Sequence, residues 1–202
     1  MKFGIIVGSH RAKSQSAKVA GYAQNVLKMI DSSASFYTLD LFKDPLPLWD
    51  DGIWNGAPEW KKRWDPISAE LRACEALVVI SPEYHGMVPA ALKNFFLLAG
   101  KDEIGHKPGL IVAVSSGRGG GYPVAELRMS SYKNSRLNWI PDHMIVRDAE
   151  HVLNGVASAS EDDTFTRSRL DYCLSVLHQY GIALKLVRES GVIDHKNHPN
   201  GL

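Results

Sequence analysis

Short apolar runs recur along this chain at 3–7, 77–80, 110–114 and 143–146, with a weaker fifth run, Ser35-Phe36-Tyr37-Thr38-Leu39. Runs of this length, bounded by Gly, Pro and polar residues, predict buried strands. Between them the apolar positions shift to helical spacing. Val19, Ala20, Ala23, Val26, Leu27 and Ile30 form one stripe, and Trp60, Trp64, Ile67, Leu71 and Cys74 form another. A third helix is predicted from Pro89 through Leu98, apolar on nearly every side except at Lys93 and Asn94, so that it wants cover on two faces. The last, from about Asp163 to Val187, opens with acidic residues that suit a helix N-terminus. Asp40 to Trp60, rich in Trp and Pro, has neither period and reads as a long ordered loop, while the segment after Glu189 reads as loose.

Helices alternating with buried strands define an α/β fold: a five-stranded parallel sheet covered on both faces in a three-layer sandwich. The pattern alone fits either the dinucleotide-binding or the flavodoxin-type winding. The length, 202 residues, suits one domain, read as 1–190 with a flexible tail over 191–202.

Composition narrows the chemistry. Apolar residues make up 45% and charged residues 22%, and the net charge is +1, which gives no bulk attraction for nucleic acid or an anionic membrane. Cys74 and Cys173 have no metal or disulfide spacing. No targeting segment or membrane-length apolar run is found, and the expectation is a cytoplasmic protein.

Two strands deliver polar loops to one sheet edge, where ligands of open α/β sheets bind. After the first comes Gly8-Ser9-His10-Arg11-Ala12-Lys13-Ser14-Gln15-Ser16. Ser9, Arg11, Ser14 and Ser16 set three hydroxyls and a guanidinium just ahead of a helix whose free N–H groups favour an anion. The loop lacks GxGxxG and GxxxxGK[ST], so a monophosphate fits it better than a pyrophosphate or triphosphate chain. The plain alternative is that Ser14 or Ser16 caps the helix and Arg11 is solvated.

After the third strand comes Ser81-Pro82-Glu83-Tyr84-His85-Gly86, a short, stiff loop able to set backbone amides and Tyr84 against a planar redox ring. Tyr84 as an ordinary aromatic and His85 as a simple donor are the alternatives. After the fourth strand, Ser115-Ser116-Gly117-Arg118-Gly119-Gly120-Gly121 brings four glycines into five residues, which predicts close approach of backbone to something.

Taken together, strand-Gly-Ser-x-Arg-x-x-Ser, strand-Ser-Pro-Glu-Tyr-x-Gly-x-x-Pro-x-x-Leu-Lys-Asn and the glycine run resemble the NADPH-dependent FMN reductase family over residues 3 to about 122. The resemblance implies a flavodoxin-like sheet of order 2-1-3-4-5, bound FMN, and NADPH or NADH as reductant. It implies that Ser9, Arg11, Ser14 and Ser16 hold the FMN phosphate, that Pro82, Glu83, Tyr84, His85 and Gly86 line the isoalloxazine, and that Ser116, Gly117, Arg118, Gly119 and Gly120 follow its pyrimidine edge. His85 stands where the family commonly has Asn, as does Ser16.

The expected activity is hydride transfer from NAD(P)H through FMN to a small-molecule acceptor such as a quinone or flavin, with no strictly required catalytic side chain and His85 as a candidate proton donor. Competing readings are a flavodoxin-like electron carrier, though this chain lacks their strong acidity, and a flavin-binding regulatory protein. A hydrolase is disfavoured by the absence of GxSxG. A homodimer or homotetramer is expected, with the 89–99 helix and the Trp-rich 45–64 loop covering each other across a two-fold axis. His195 and His198 are read as solvated.

Overall fold

The computed structural model describes residues 1–201. In chain order the elements are β1 (Lys2–Val7), α1 (Gln15–Ile30), β2 (Ser35–Asp40), α2 (Gly52–Asn55), α3 (Pro58–Arg72), β3 (Ala76–Pro82), α4 (Ala90–Leu98), α5 (Lys101–Ile104), β4 (Pro108–Val114), α6 (Gly121–Ser130), β5 (Asn138–Val146) and α7 (Glu161–Glu189). The strands form one sheet in the order β2-β1-β3-β4-β5, every neighbouring pair parallel. This is the flavodoxin-type winding, which resolves the choice that periodicity left open.

Side chains on a strand alternate between faces, and here each face has its own core. Val78 and Ile80 of β3, with Leu110 and Val112 of β4, pack with residues of α1 and α7. Leu77, Val79, Ile111 and Ala113 point the other way, among residues of α3, α4 and α6. All seven residues of β3, and all seven of β4, are buried. That two-sided burial is why these strands read as unbroken apolar runs.

The predicted strands and long helices are present, with differences at their ends. The run at 143–146 is only the second half of β5, which starts at Asn138 and includes Pro141. β5 is an edge strand, where a missing N–H is tolerated, and its register against β4 slips between Gly109 and Ile111. Helix α6 was not anticipated: Gly121, Tyr122 and Pro123 look like loop punctuation, yet Pro fits a first helical turn, and Val124 and Leu127 are buried one turn apart. The Trp-rich segment contains the single turn α2, tied down where the Asp50 carboxylate accepts hydrogen bonds from Gly52 N–H and the Trp60 indole, both at 2.8 Å.

Residues 191–201 were expected to be loose, with His195 solvated. The structure lays them against the body. His195 Nε2 lies 3.4 Å from His106 Nε2, and Arg136 Nη2 donates to the His198 carbonyl. Leu202, the end of the expected tail, lies outside the described residues. Among the described residues no helix is long and apolar enough to cross a membrane.

Candidate functional site

Because all five strands run the same way, the connections after β1, β3, β4 and β5 emerge at one edge. The chain leaves β1 for β2 on one side and returns to β3 on the other, so the winding reverses between β1 and β3, where such folds bind ligands.

The connection after β1 (residues 8–14) leads into α1. Ser14 is the N-cap of α1, its Oγ accepting from Ala17 N–H at 3.1 Å. The capping alternative is therefore realised for Ser14, and Ser16 is buried in the first helical turn. That turn carries no acidic residue, and the exposed side chains beside it are His10, Arg11 and Lys13. By contrast, α7 begins with Glu161, Asp162 and Asp163. The positive end of the α1 dipole is thus left without a carboxylate of its own and is flanked by cationic groups, a donor set suited to a phosphate.

Ser9 behaves differently. It is fully buried, its Oγ accepts from Arg11 N–H at 3.3 Å, and it shares a 2.8 Å hydrogen bond with Tyr84 OH. Tyr84 is the ring-loop aromatic, and the His10 ring meets it edge to face at 5.4 Å. Tyr84 therefore joins the loops after β1 and β3.

The loop after β3 is a hairpin turn. Tyr84 N–H donates to Met87 O at 3.1 Å and Met87 N–H returns to Tyr84 O at 3.0 Å. His85 and Gly86 between them have φ of 51° and 71°. Positive φ at both central positions is the signature of a type I′ turn, which favours Asn-Gly and, among side-chain-bearing residues, tolerates Asn, Asp and His best. His85 thus preserves the backbone shape expected of Asn there, and its exposed ring sits at the turn's tip. Pro82 is buried as the last residue of β3.

The Glu83 carboxylate crosses to the glycine loop after β4, accepting from Gly120 N–H. Two glycines there are explained inside the chain. A Cβ on Gly119 would meet Glu83 Oε2 at 2.5 Å, and one on Gly120, whose φ is 101°, would meet Ile145 Cγ2 at 2.3 Å. A Cβ on Gly117 would meet nothing within 4 Å. Close approach by a ligand is therefore open at Gly117 and exposed Ser116.

Arg118 is engaged elsewhere. Its guanidinium pairs with Asp148 at 3.0 Å and lies 3.7 Å from Asp162, which raise its already high pKa, first through the hydrogen bond that Arg118 donates to Asp148. The connection after β5, absent from the sequence reading, is tied to the glycine loop by Asp148 N–H donating to Gly117 O at 2.9 Å. It is also tied to α1, where Lys18 Nζ donates to the Val152 carbonyl and Asn154 Oδ1, both at 2.7 Å. Partners more than 130 residues apart left no local signal for Lys18. Asn94 did carry one, as an amide on an apolar helix: its Oδ1 accepts from Trp49 N–H and its Nδ2 donates to Pro47 O, both at 2.8 Å, stapling the Trp-rich loop to α4.

The winding, with a cationic helix start at the switch point and a tight backbone turn beside it, defines a flavodoxin-like protein whose candidate site suits a phosphorylated planar ligand. The match to known proteins is more specific. The family model of NADPH-dependent FMN reductases matches residues 1–151, and the chain belongs to that family. An NAD(P)H-dependent FMN reductase of Saccharomyces cerevisiae is 30% identical over 138 residues, 59% of this chain and 68% of that protein. A quinone reductase of Pseudomonas putida is 30% identical over 122 residues, 58% of this chain and 62% of that protein. An NADPH azoreductase of Bacillus sp. OY1-2 is 28% identical over 155 residues, covering 77% and 81%. In structure, the flavoenzyme NAD(P)H:(acceptor) oxidoreductase of Paracoccus denitrificans superposes with a TM-score of 0.68 at 22% identity, over 89% of this chain and 98% of that one, which supports the fold.

Proposed function

We propose that this protein is an FMN-dependent oxidoreductase that takes hydride from NADPH or NADH and passes reducing equivalents to a small-molecule acceptor of the quinone, flavin or azo type. The observation that carries this reading is the junction of two features at the switch point: the carboxylate-free start of α1 flanked by Arg11, and the type I′ turn pinned to it through Tyr84 and Ser9. Bound FMN would supply the hydride acceptance and electron delivery.

The side chains would bind and orient. Arg11 and the N–H groups of the first turn of α1 would hold the phosphate, with Ser14 and Ser16 shaping that turn. Ser9 acts one step back, fixing Tyr84. The 82–86 turn and the open backbone at Ser116 and Gly117 would flank the ring, while Glu83 and Gly120 hold those two loops together. Arg118 would shape the glycine loop through Asp148, and His85, exposed at the turn, would be placed to give a proton to a reduced acceptor.

The same reading places the protein in the cytoplasm as a homodimer or homotetramer, with 1–190 as its FMN-binding domain. Exposed Trp54, Met87, Leu97 and Met129 on or beside α4 and α6 support an assembly face. The test is an anaerobic NADPH titration of the FMN-reconstituted protein followed by flavin absorbance. Bleaching that reverses on adding a quinone supports the reading. A persistent band points to an electron carrier or regulatory protein, and failure to bind FMN removes the site assignment.

A further inference from the structure

At the edge of the sheet opposite the site, residues 191–201 leave α7 and fold back over the body. His195 meets His106, which lies in the connection between α5 and β4. Their Nε2 atoms are 3.4 Å apart, their ring centroids 5.5 Å apart and their planes inclined by 19°. The nitrogens are closer than the centroids by nearly the combined centre-to-nitrogen distance of two imidazoles. The rings therefore meet end on through Nε2, not face on face. Without a bridging cation, such a contact is attractive only when an N–H on one ring faces a lone pair on the other.

The docking surface concentrates irregular features. His106 and Arg136 are two of the five non-glycine residues with positive φ among the described residues, at 57° and 56°. They are joined directly, His106 N–H donating to Arg136 O at 2.8 Å. Arg136 Nη2 reaches the His198 carbonyl of the tail. Arg136 Nε is the one buried side-chain nitrogen or oxygen without a hydrogen-bond partner among the described residues. Backbone strain and an unpaired donor at one contact mark a docked state that holds little in reserve.

We propose that the His106–His195 pair is a proton-sensitive latch, which holds residues 191–201 in place with at most one extra proton and opens when both imidazoles are charged. Two imidazolium groups would set N–H against N–H, and the surroundings offer no relief. Arg136 faces the pair from the α6–β5 connection and Arg188 from α7, donating to the His106 carbonyl at 3.0 Å. Glu75, the nearby carboxylate of the α3–β3 connection, is taken by Arg188 and Lys185. Lys107, next in the chain, turns its ammonium onto the carbonyls of Leu71, Arg72 and Glu103. On the tail, Asp194 is occupied by the N–H groups of Lys196 and Asn197, and Lys196 brings only positive charge. Burial, with His195, Arg136 and Arg188 adding to it, holds His106 below the ordinary imidazole range.

Opening has a structural consequence. Pro199 and Asn200 of the tail help wall a cavity of about 820 Å³, together with Trp49, Trp54, Phe96 and Leu97. Release of the latch removes that wall and exposes the aromatic side of α4. The surrounding arginines disfavour a cation held between the two nitrogens, the other arrangement in which facing imidazoles cohere.

The experiment is backbone ¹⁵N relaxation of the full chain at pH 7.5 and 5.5 in the presence of a chelator, with the amides of β3 reporting the fold. Residues 195–200 should move with the body at pH 7.5. Their open population should rise as pH falls below about 6.5, approaching about tenfold per pH unit, because the open tail binds one proton more than the closed one. His195→Gln, which keeps an uncharged nitrogen donor at the same reach, should stay docked at both values, while His198→Asn should keep the wild-type response. A tail mobile at pH 7.5, a response that survives in His195→Gln, no change between the two pH values, or release by the chelator alone would each overturn the latch.

Discussion

Ser9 and Tyr84 meet hydroxyl to hydroxyl at 2.8 Å, joining the loops after β1 and β3 across the reversal of the winding. Ser9 is wholly buried, so under the proposed function its contribution to FMN binding would pass through Tyr84. Tyr84→Phe and Ser9→Ala should each weaken FMN by about 1 kcal/mol, roughly fivefold. The double variant should lose little more than either alone, since both remove one bond. Fluorescence titration with FMN measures all three, and full additivity would show that the hydroxyls act separately.

Arg11 is exposed beside a helix start with no acidic residue. Arg11→Ala should cost about 1.5–3 kcal/mol of FMN affinity through loss of charge-assisted phosphate contacts. Riboflavin, which has the ring without the phosphate, should bind the variant and the wild type alike. Equal losses for the two ligands would move Arg11 from the phosphate to the ring.

The glycine loop separates packing from binding. Gly120→Ala should destabilise the fold by about 2–4 kcal/mol, since its Cβ would sit 2.3 Å from Ile145 Cγ2 at a φ of 101°. Gly117→Ala has no neighbour to strike. It should leave the thermal midpoint unchanged and lower FMN affinity. A Gly117→Ala protein that binds FMN normally would place the ring away from this loop.

Asp163, almost fully buried, holds the connection after β5 through Leu153 N–H at 2.8 Å and Ala159 N–H at 3.0 Å, and pairs with Arg167 at 3.0 Å. Burial pushes its carboxyl up, but these donors outweigh it and keep the pKa below the ordinary value. With the folded value below the unfolded one, the stabilisation is present above about pH 4 and is lost as pH falls further. Asp163→Ala should therefore lose about 3–5 kcal/mol at pH 7, with the gap to wild type narrowing at pH 3. Urea unfolding at the two pH values measures this, and an unchanged gap would mean that the ionised carboxylate is not the source.

The sheet and its flanking helices were legible because two-sided burial and one-sided burial leave different periods in the sequence, as at Leu77–Ile80 and at Val19–Ile30. What stayed hidden was of two kinds. Helix α6 begins with residues that ordinarily end structure, so Gly121 and Pro123 masked the Val124–Leu127 stripe. The connection after β5 takes its shape from Lys18, whose partners lie more than 130 residues away, and from Asp163, which in the sequence reads only as an acidic helix start. The glycine loop was half legible: its crowding was foreseen, but at Gly119 and Gly120 the crowding comes from Glu83 and Ile145. His195 looked solvated because its partner, His106, lies 89 residues away.

The contacts at the carboxyl edge close on themselves. Ser9 reaches Tyr84, Glu83 reaches Gly120, Gly117 reaches Asp148, and the loop beyond Asp148 returns through Lys18 to the helix that Ser9 precedes. A closed hoop differs mechanically from an open row. Cutting any one link leaves every loop still tethered from its other side, whereas a second cut frees a whole arc. The rim of this protein should thus tolerate the loss of any one link and fail abruptly when two different links are cut, and a ligand arriving there meets loops whose ordering entropy was spent when the chain folded.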